Sequence, residues 1–186
     1  MKKYFYVLAA AMLAVSMNVN AERGKFIHVD ATVNKNLKPQ LAFNQEHKDG
    51  ADVTTLIVKT VSTDKYNEFT DASRILIKFS DEKNSRLNRV AGVGVKQYKN
   101  TEKVAKATIT KYWTEVVYEV SPEIIEKLEA GLSIVKIRVV FKENDSKDYD
   151  LPEGYQPKFS ADLLKSYQEA SLKNKKAHGD LSDDDF

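Results

Sequence analysis

The chain has 186 residues, with 29 Lys and Arg against 27 Asp and Glu and no cysteine. A sequence without cysteine forms no disulfide, holds no thiolate-bound metal and carries no lipid on a cysteine. A domain of this length buries enough apolar surface for one core, so folding needs neither a cross-link nor a metal.

The first 21 residues have the pattern of a secretory signal peptide. Lys2 and Lys3 precede an apolar run that ends near Val15. Val19 and Ala21 then supply the small side chains that precede a cleavage site. The apolar run is shorter than the roughly 20 residues of a membrane span. We therefore expect export through a cleaved leader to the periplasm or the medium, with no membrane span and no lipid anchor.

Loss of this leader changes the charge balance. Without Lys2 and Lys3 the number of Lys and Arg falls from 29 to 27, which equals the number of Asp and Glu. A neutral domain offers no excess of positive charge to the phosphates of DNA or RNA. We therefore expect no nucleic-acid partner.

Short segments of alternating polar and apolar residues predict that most of the remaining chain is β-sheet. Strands are expected over residues 27–33, 53–62, 74–79, 90–98 and 104–120. Polar segments over residues 44–52 and 143–157 predict loops.

The clearest local signal runs over residues 114–141. Its first seven residues alternate in polarity, which predicts a strand. Ser121 and Pro122 mark the start of a helix, and Gly131 marks its end. A second alternating segment over residues 135–141 predicts another strand. We expect these two strands to pair in antiparallel fashion, with the helix across one end of the sheet.

Together these segments predict a mainly β (α+β) fold. We expect an antiparallel β-sandwich or barrel-like sheet of six to seven strands, one short helix at about residues 122–130 and a C-terminal helix. The expected organisation is a signal peptide over residues 1–21, a β-rich domain over 22–158, a helix over 159–178 capped by Ser160, and a disordered acidic tail over 179–186.

Three pieces of the sequence support a family resemblance. They are Arg74-Ile-Leu-Ile-Lys-Phe-Ser-Asp81, Tyr118-Glu-Val-Ser-Pro-Glu-Ile-Ile-Glu-Lys-Leu128, and Gly131 followed by Val135-Lys-Ile-Arg138. This pattern resembles uncharacterised small secreted β-rich proteins of Gram-negative gut bacteria, over roughly residues 74–141. The resemblance implies an exported β-rich domain and implies no activity, cofactor or site residue.

Trp113 is the strongest candidate for a ligand contact. In a strand it shares one face with Lys111 and Glu115, whereas Tyr112 lies on the opposite face. If the face of Tyr112 is core, Trp113 is partly exposed and can stack on a sugar ring or anchor a partner. In the alternative arrangement the docked helix or another strand covers Trp113. Trp113, Lys111 and Glu115 are therefore the expected ligand-binding residues.

No motif predicts a catalytic residue, a metal or a cofactor. His28 and Asp30 share a strand face, but two ligands do not make a zinc site. His47 and His178 have no partner that their spacing identifies. Four acids could gather around Ca²⁺, although their spacing lacks the glycine and the bidentate Glu of an EF-hand and favours a solvated loop. They are Glu143, Asp145, Asp148 and Asp150.

These observations favour an exported, non-enzymatic binding or interaction module, with an envelope protein or a carbohydrate as its partner. The alternative is an envelope or polysaccharide-directed hydrolase with a carboxylate pair, because 27 acids allow many pairings. A third interpretation is an assembly subunit that uses the acidic tail ending at Phe186 as a tether.

Overall fold

The structure is a computed structural model that describes residues 22–29, 38–104 and 107–179. This part of the chain forms two antiparallel sheets and two α-helices, one short and one C-terminal. The prediction of a mainly β, sandwich-like fold with these two helices is confirmed. The described residues form nine strands, so the predicted six to seven was too few. The predicted signal peptide and most of the predicted tail lie outside the described residues.

The elements follow one another in this order: β1 (Ile27–His28), β2 (Gln40–Lys48), β3 (Ala51–Ser62), β4 (Arg74–Phe79), β5 (Asn84–Asn88), β6 (Lys96–Val104), β7 (Ala107–Glu119), α1 (Pro122–Glu129), β8 (Ile134–Lys142), β9 (Asp145–Asp150), a 3-10 turn (Glu153–Tyr155) and α2 (Gln156–Ala177). One sheet has five strands in the order β1-β2-β3-β7-β6, and the other has four in the order β5-β4-β8-β9.

The two sheets share one core. Val58 and Val116 of the five-stranded sheet pack in the same buried cluster as Ile77 and Ile137 of the four-stranded sheet. Because successive side chains of a strand point to opposite faces, alternate residues face this core, such as Leu56 and Val58 in β3 and Val116 and Tyr118 in β7. The other face of the five-stranded sheet is called the outer face below.

The helix α1 connects the two sheets. It follows β7 in the five-stranded sheet and precedes β8 in the four-stranded sheet, so the predicted pairing of these two strands is wrong. Its ends lie where predicted: Pro122 occupies the first turn, and Gly131 follows the helix at a φ of 78°. Ser121 occupies the N-cap position, but its side chain makes no capping hydrogen bond. The buried side chains Ile124 and Leu128 dock α1 on the core, which a helix of this length requires for stability.

Two polar segments predicted as loops contain strand residues. Residues 44–52 belong to a hairpin in which Lys48 pairs with Ala51 across a two-residue turn. Asp49 and Gly50 have φ angles of 53° and 80°, as a type I′ turn requires. Residues 143–157 likewise contain β9, which pairs with β8. Both predictions failed because polarity marks exposure to solvent, and exposed hairpin strands are also polar.

The helix α2 starts earlier than predicted and forms hydrogen bonds with both sheets. It begins at Gln156, so Ser160 lies within its first turns and is not the predicted cap. The Ser160 hydroxyl accepts a 2.8 Å hydrogen bond from the backbone N–H of Ile134 in β8. On the side of β2, Ser166 accepts a 3.1 Å hydrogen bond from the backbone N–H of Phe43. Within the described ranges, no helix combines the length and apolarity needed to cross a bilayer.

Beyond the end of β3, strands β6 and β7 continue as a two-stranded arm. The last pair between β3 and β7 is Ser62 with Tyr112, whereas β6 and β7 stay paired as far as Val104 and Ala107. In the order of the described strands, β6 lies at one edge of the five-stranded sheet. Side chains at the base of the arm form the candidate site.

Candidate functional site

Trp113 lies on the outer face of the five-stranded sheet and is half-buried. In β7 it alternates with Thr114 and Val116, which point toward the core. Its cross-strand neighbour on β6 is Tyr98. The two rings are nearly parallel, with an angle of 15° between their planes and 6.4 Å between their centroids. The sheet register therefore creates an aromatic pair on a solvent-facing surface.

The ammonium group of Lys59 on β3 lies against this pair. Its nitrogen is 4.6 Å from the ring centroid of Trp113 and 5.0 Å from that of Tyr98. A third ring, that of Phe26, has its centroid 5.4 Å away. A cation within about 6 Å of a ring face is attracted by the ring quadrupole. We call Phe26, Lys59, Tyr98, Trp113 and Glu115 the aromatic cluster.

Glu115 supplies the negative charge of the cluster. Its side chain is 7% exposed, and its carboxylate accepts a 2.8 Å hydrogen bond from the Tyr98 hydroxyl. The same carboxylate lies 3.7 Å from the nitrogen of Lys59. A buried carboxylate is tolerated when it is paired and hydrogen-bonded, as it is here. Burial, reinforced by the bond to Glu115, raises the pKa of Tyr98 above its usual value.

Two further cations make the surface positive. The guanidinium carbon of Arg23 is 4.5 Å from the ring centroid of Phe26. Burial lowers the pKa of Lys59, and the charges of Arg23 and Lys96 lower it further, against the opposing effect of Glu115. Three cations and one carboxylate therefore lie in the neighbourhood of three aromatic rings.

The sequence-predicted site residues are only partly brought together. Trp113 and Glu115 belong to the aromatic cluster. Lys111 lies in the arm instead, where its nitrogen is 2.7 Å from a carboxylate oxygen of Glu102. Sequence reasoning missed Phe26, Lys59 and Tyr98, because they reach Trp113 only through pairing of distant segments. No local pattern in the sequence specifies that register.

The histidines have partners that the sequence did not reveal. The ring centroids of His47 and His178 lie 5.0 Å apart, at the end of the β2–β3 hairpin. His47 Nδ1 is 2.9 Å from Asp52, which also accepts a 2.8 Å hydrogen bond from Asn174. His28 lies in β1, and Asp30 falls outside the described residues. Within residues 22–29, 38–104 and 107–179, no group of three residues has the arrangement of a metal site.

The acids considered for Ca²⁺ lie along β9 and the turn before it. Arg138 donates to Asp148 over 2.7 Å, and Lys136 lies 3.0 Å from Asp150. The hydrogen bond from Arg138 holds the pKa of Asp148 below its usual value. The carboxylates of Asp148 and Asp150 therefore form ion pairs with cations of β8 on the exposed face of the four-stranded sheet.

A separate cleft of about 510 Å³ lies between α1, α2 and the β2–β3 hairpin. None of the three ligand-binding residues predicted from the sequence lines this cleft. Comparison of the chain with protein-family models, with curated proteins and with solved structures found no match.

Proposed function

We propose that this protein is an exported, non-enzymatic binding module that binds an anionic carbohydrate at the aromatic cluster. The observation that carries this proposal is the ammonium of Lys59 against the nearly parallel rings of Tyr98 and Trp113. The signal-peptide pattern of residues 1–21 supports export.

The chemistry of the cluster suits an acidic sugar. Half-buried aromatic rings offer apolar area to the C–H face of a pyranose, and they lose little conformational entropy on binding. Lys59, Arg23 and Lys96 offer charge-assisted hydrogen bonds to a carboxylate, sulfate or phosphate substituent. These three cations exceed the single carboxylate of Glu115, and a neutral sugar would not neutralise the excess. The positive charge therefore favours an anionic ligand.

The carboxyl groups give the hydrolase alternative no comparable support. A glycoside hydrolase needs a carboxylic acid that stays protonated near neutral pH, and therefore a raised pKa. In the described part of the chain, the acids with clearly shifted pKa values are Asp52, Glu68 and Asp148. The pKa of each is lowered by hydrogen bonds. The aromatic cluster therefore favours binding over hydrolysis.

Trp113 makes the proposal directly testable, because it is the single tryptophan of the sequence. We expect polygalacturonate to change the tryptophan fluorescence of the exported protein in a saturable way, and dextran to leave it unchanged. Added salt should weaken the response, since salt screens exposed charges.

Variants then locate the binding surface. Lys96→Gln and Lys59→Met should each weaken polygalacturonate binding by about tenfold, through loss of a charge-assisted contact. Lys165→Met changes a cation that is 70% exposed on α2 and serves as the control. An unchanged fluorescence signal, or equal weakening by the control, would contradict the proposal.

A further inference from the structure

The cleft between the two helices has the size of a ligand site. Its volume of about 510 Å³ falls within the roughly 300–1,000 Å³ typical of small-molecule pockets. One wall is α1, the other is α2, and the β2–β3 hairpin forms the base. It lies apart from the aromatic cluster and shares no residue with it.

The walls of the cleft are negatively charged. Asp52, Glu126 and Glu129 line it, against a single cation, Lys175. Glu126 and Glu129 are exposed on α1, and neither forms an ion pair within the described ranges. Asp52 stays ionised, because hydrogen bonds from His47 and Asn174 lower the pKa of its carboxyl group. The lining therefore presents three carboxylates against one ammonium group, so negative charge is in excess.

A second observation, independent of these acids, concerns Gln45 at the base. Gln45 is 5% exposed, and its Nε2 donates a 3.2 Å hydrogen bond to Thr54. Its carbonyl oxygen Oε1 is buried and has no hydrogen-bond partner in the described structure. A buried acceptor without a donor costs about 1–3 kcal/mol, so native proteins rarely leave one unsatisfied. One residue at the base of the cleft therefore has a buried acceptor that lacks a hydrogen-bond donor.

We propose that this cleft binds an amine or guanidinium group. Such a group carries the positive charge that the three carboxylates lack and the N–H donors that Gln45 lacks. The side chains of Tyr167 and Ile125, which also line the cleft, offer apolar contact to the methylene chain behind the charge. The same chemistry occurs in a free polyamine and in a Lys side chain of a partner peptide.

The test uses calorimetric titration of the full exported chain with spermidine and, separately, with a peptide whose central Lys is flanked by Gly and Ser. Glu126→Gln/Glu129→Gln should weaken binding by about tenfold or more. Glu123→Gln/Glu153→Gln changes the net charge equally at exposed residues outside the cleft lining and should bind as the wild type does. Thermal unfolding of each variant verifies that it is folded.

Lys175 gives a prediction of opposite sign. Lys175→Gln removes the cation that competes for the carboxylates, so it should strengthen the binding of both probes. Binding of spermidine as tight as that of the peptide assigns the site to a free amine, and binding of the peptide alone assigns it to a partner side chain. Absence of binding to both probes, equal weakening by the two double variants, or weaker binding by Lys175→Gln would overturn the proposal.

Discussion

The hydroxyl of Tyr98 donates a 2.8 Å hydrogen bond to Glu115 and thereby joins β6 to β7 on the outer face of the five-stranded sheet. Glu115 faces Lys96 in the strand register, and Tyr98 faces Trp113. The bond is therefore diagonal, between residues of neighbouring pairs. It fixes the acid of the aromatic cluster beside the rings.

Loss of this bond should weaken the fold. Tyr98→Phe removes the donor and leaves a buried carboxylate oxygen less satisfied, so we expect the free energy of unfolding to fall by about 1–3 kcal/mol. Urea denaturation measures the change. Tyr112→Phe is the matched control, because Tyr112 is adjacent in β7 to Trp113, the partner of Tyr98, and points to the opposite face. Equal destabilisation by both variants would show that the bond to Glu115 contributes nothing specific.

Gly24 packs directly against the backbone of α2. A Cβ atom at Gly24 would lie 1.8 Å from the backbone carbonyl oxygen of Ser166. Gly24→Ala therefore forces backbone apart and should destabilise the protein by about 1–3 kcal/mol or more. Gly94→Ala provides the control, because no atom lies within 4 Å of its added Cβ. Thermal unfolding compares the two, and a normal melting temperature for Gly24→Ala would contradict this packing.

The hydroxyl of Tyr149 should lose its proton at a higher pH than an exposed tyrosine does. Burial raises the pKa of its hydroxyl from 10.0 to about 12. A raised pKa means that the unfolded chain loses this proton first, so the stabilisation is complete below pH 10 and is lost as the pH rises through 12. Absorbance at the wavelength of tyrosinate, compared between wild type and Tyr149→Phe, isolates this group. A difference spectrum that develops near pH 10 would exclude its burial.

Asp52 should make the attachment of α2 sensitive to acid. His47 and Asn174 lower the pKa of Asp52 below 3.8 through hydrogen bonds to its ionised form. A lowered pKa gives stability that is present above the unfolded value and is lost as the pH falls through the folded value.

The matching experiment measures urea midpoints at pH 6 and pH 3 for wild type and Asp52→Asn. The variant should show a smaller loss of stability between the two pH values than wild type does. Asp64→Asn, at an exposed loop position, is the control. Equal losses in wild type and Asp52→Asn would show that Asp52 does not contribute to acid sensitivity.

Local signals in the sequence were sufficient to predict structure at positions where the residue type restricts its own backbone conformation. Pro122 and Gly131 set the ends of α1, because proline fits the first turn and glycine adopts a positive φ without a Cβ clash. The alternation in β4 likewise matches the burial of every second residue in that strand, whereas both faces of β7 are buried over residues 114–118. The polar composition of β9 led to the wrong prediction of a loop. Its acidic side chains are exposed and pair with cations of β8, so the strand has no alternating apolar residues.

Sequence alone therefore determined that this chain is a mainly β protein with a short helix between two strands, since caps and periodicity act within a few residues. Tertiary structure decided that these strands belong to different sheets and that Lys59, Tyr98 and Trp113 meet. It also placed Gln45, Glu126 and Lys175 around one cleft. These relationships depend on strand register and on packing between segments that are distant in the sequence. Burial of apolar surface between such segments stabilises the packing, and it produces no short-range pattern in the sequence.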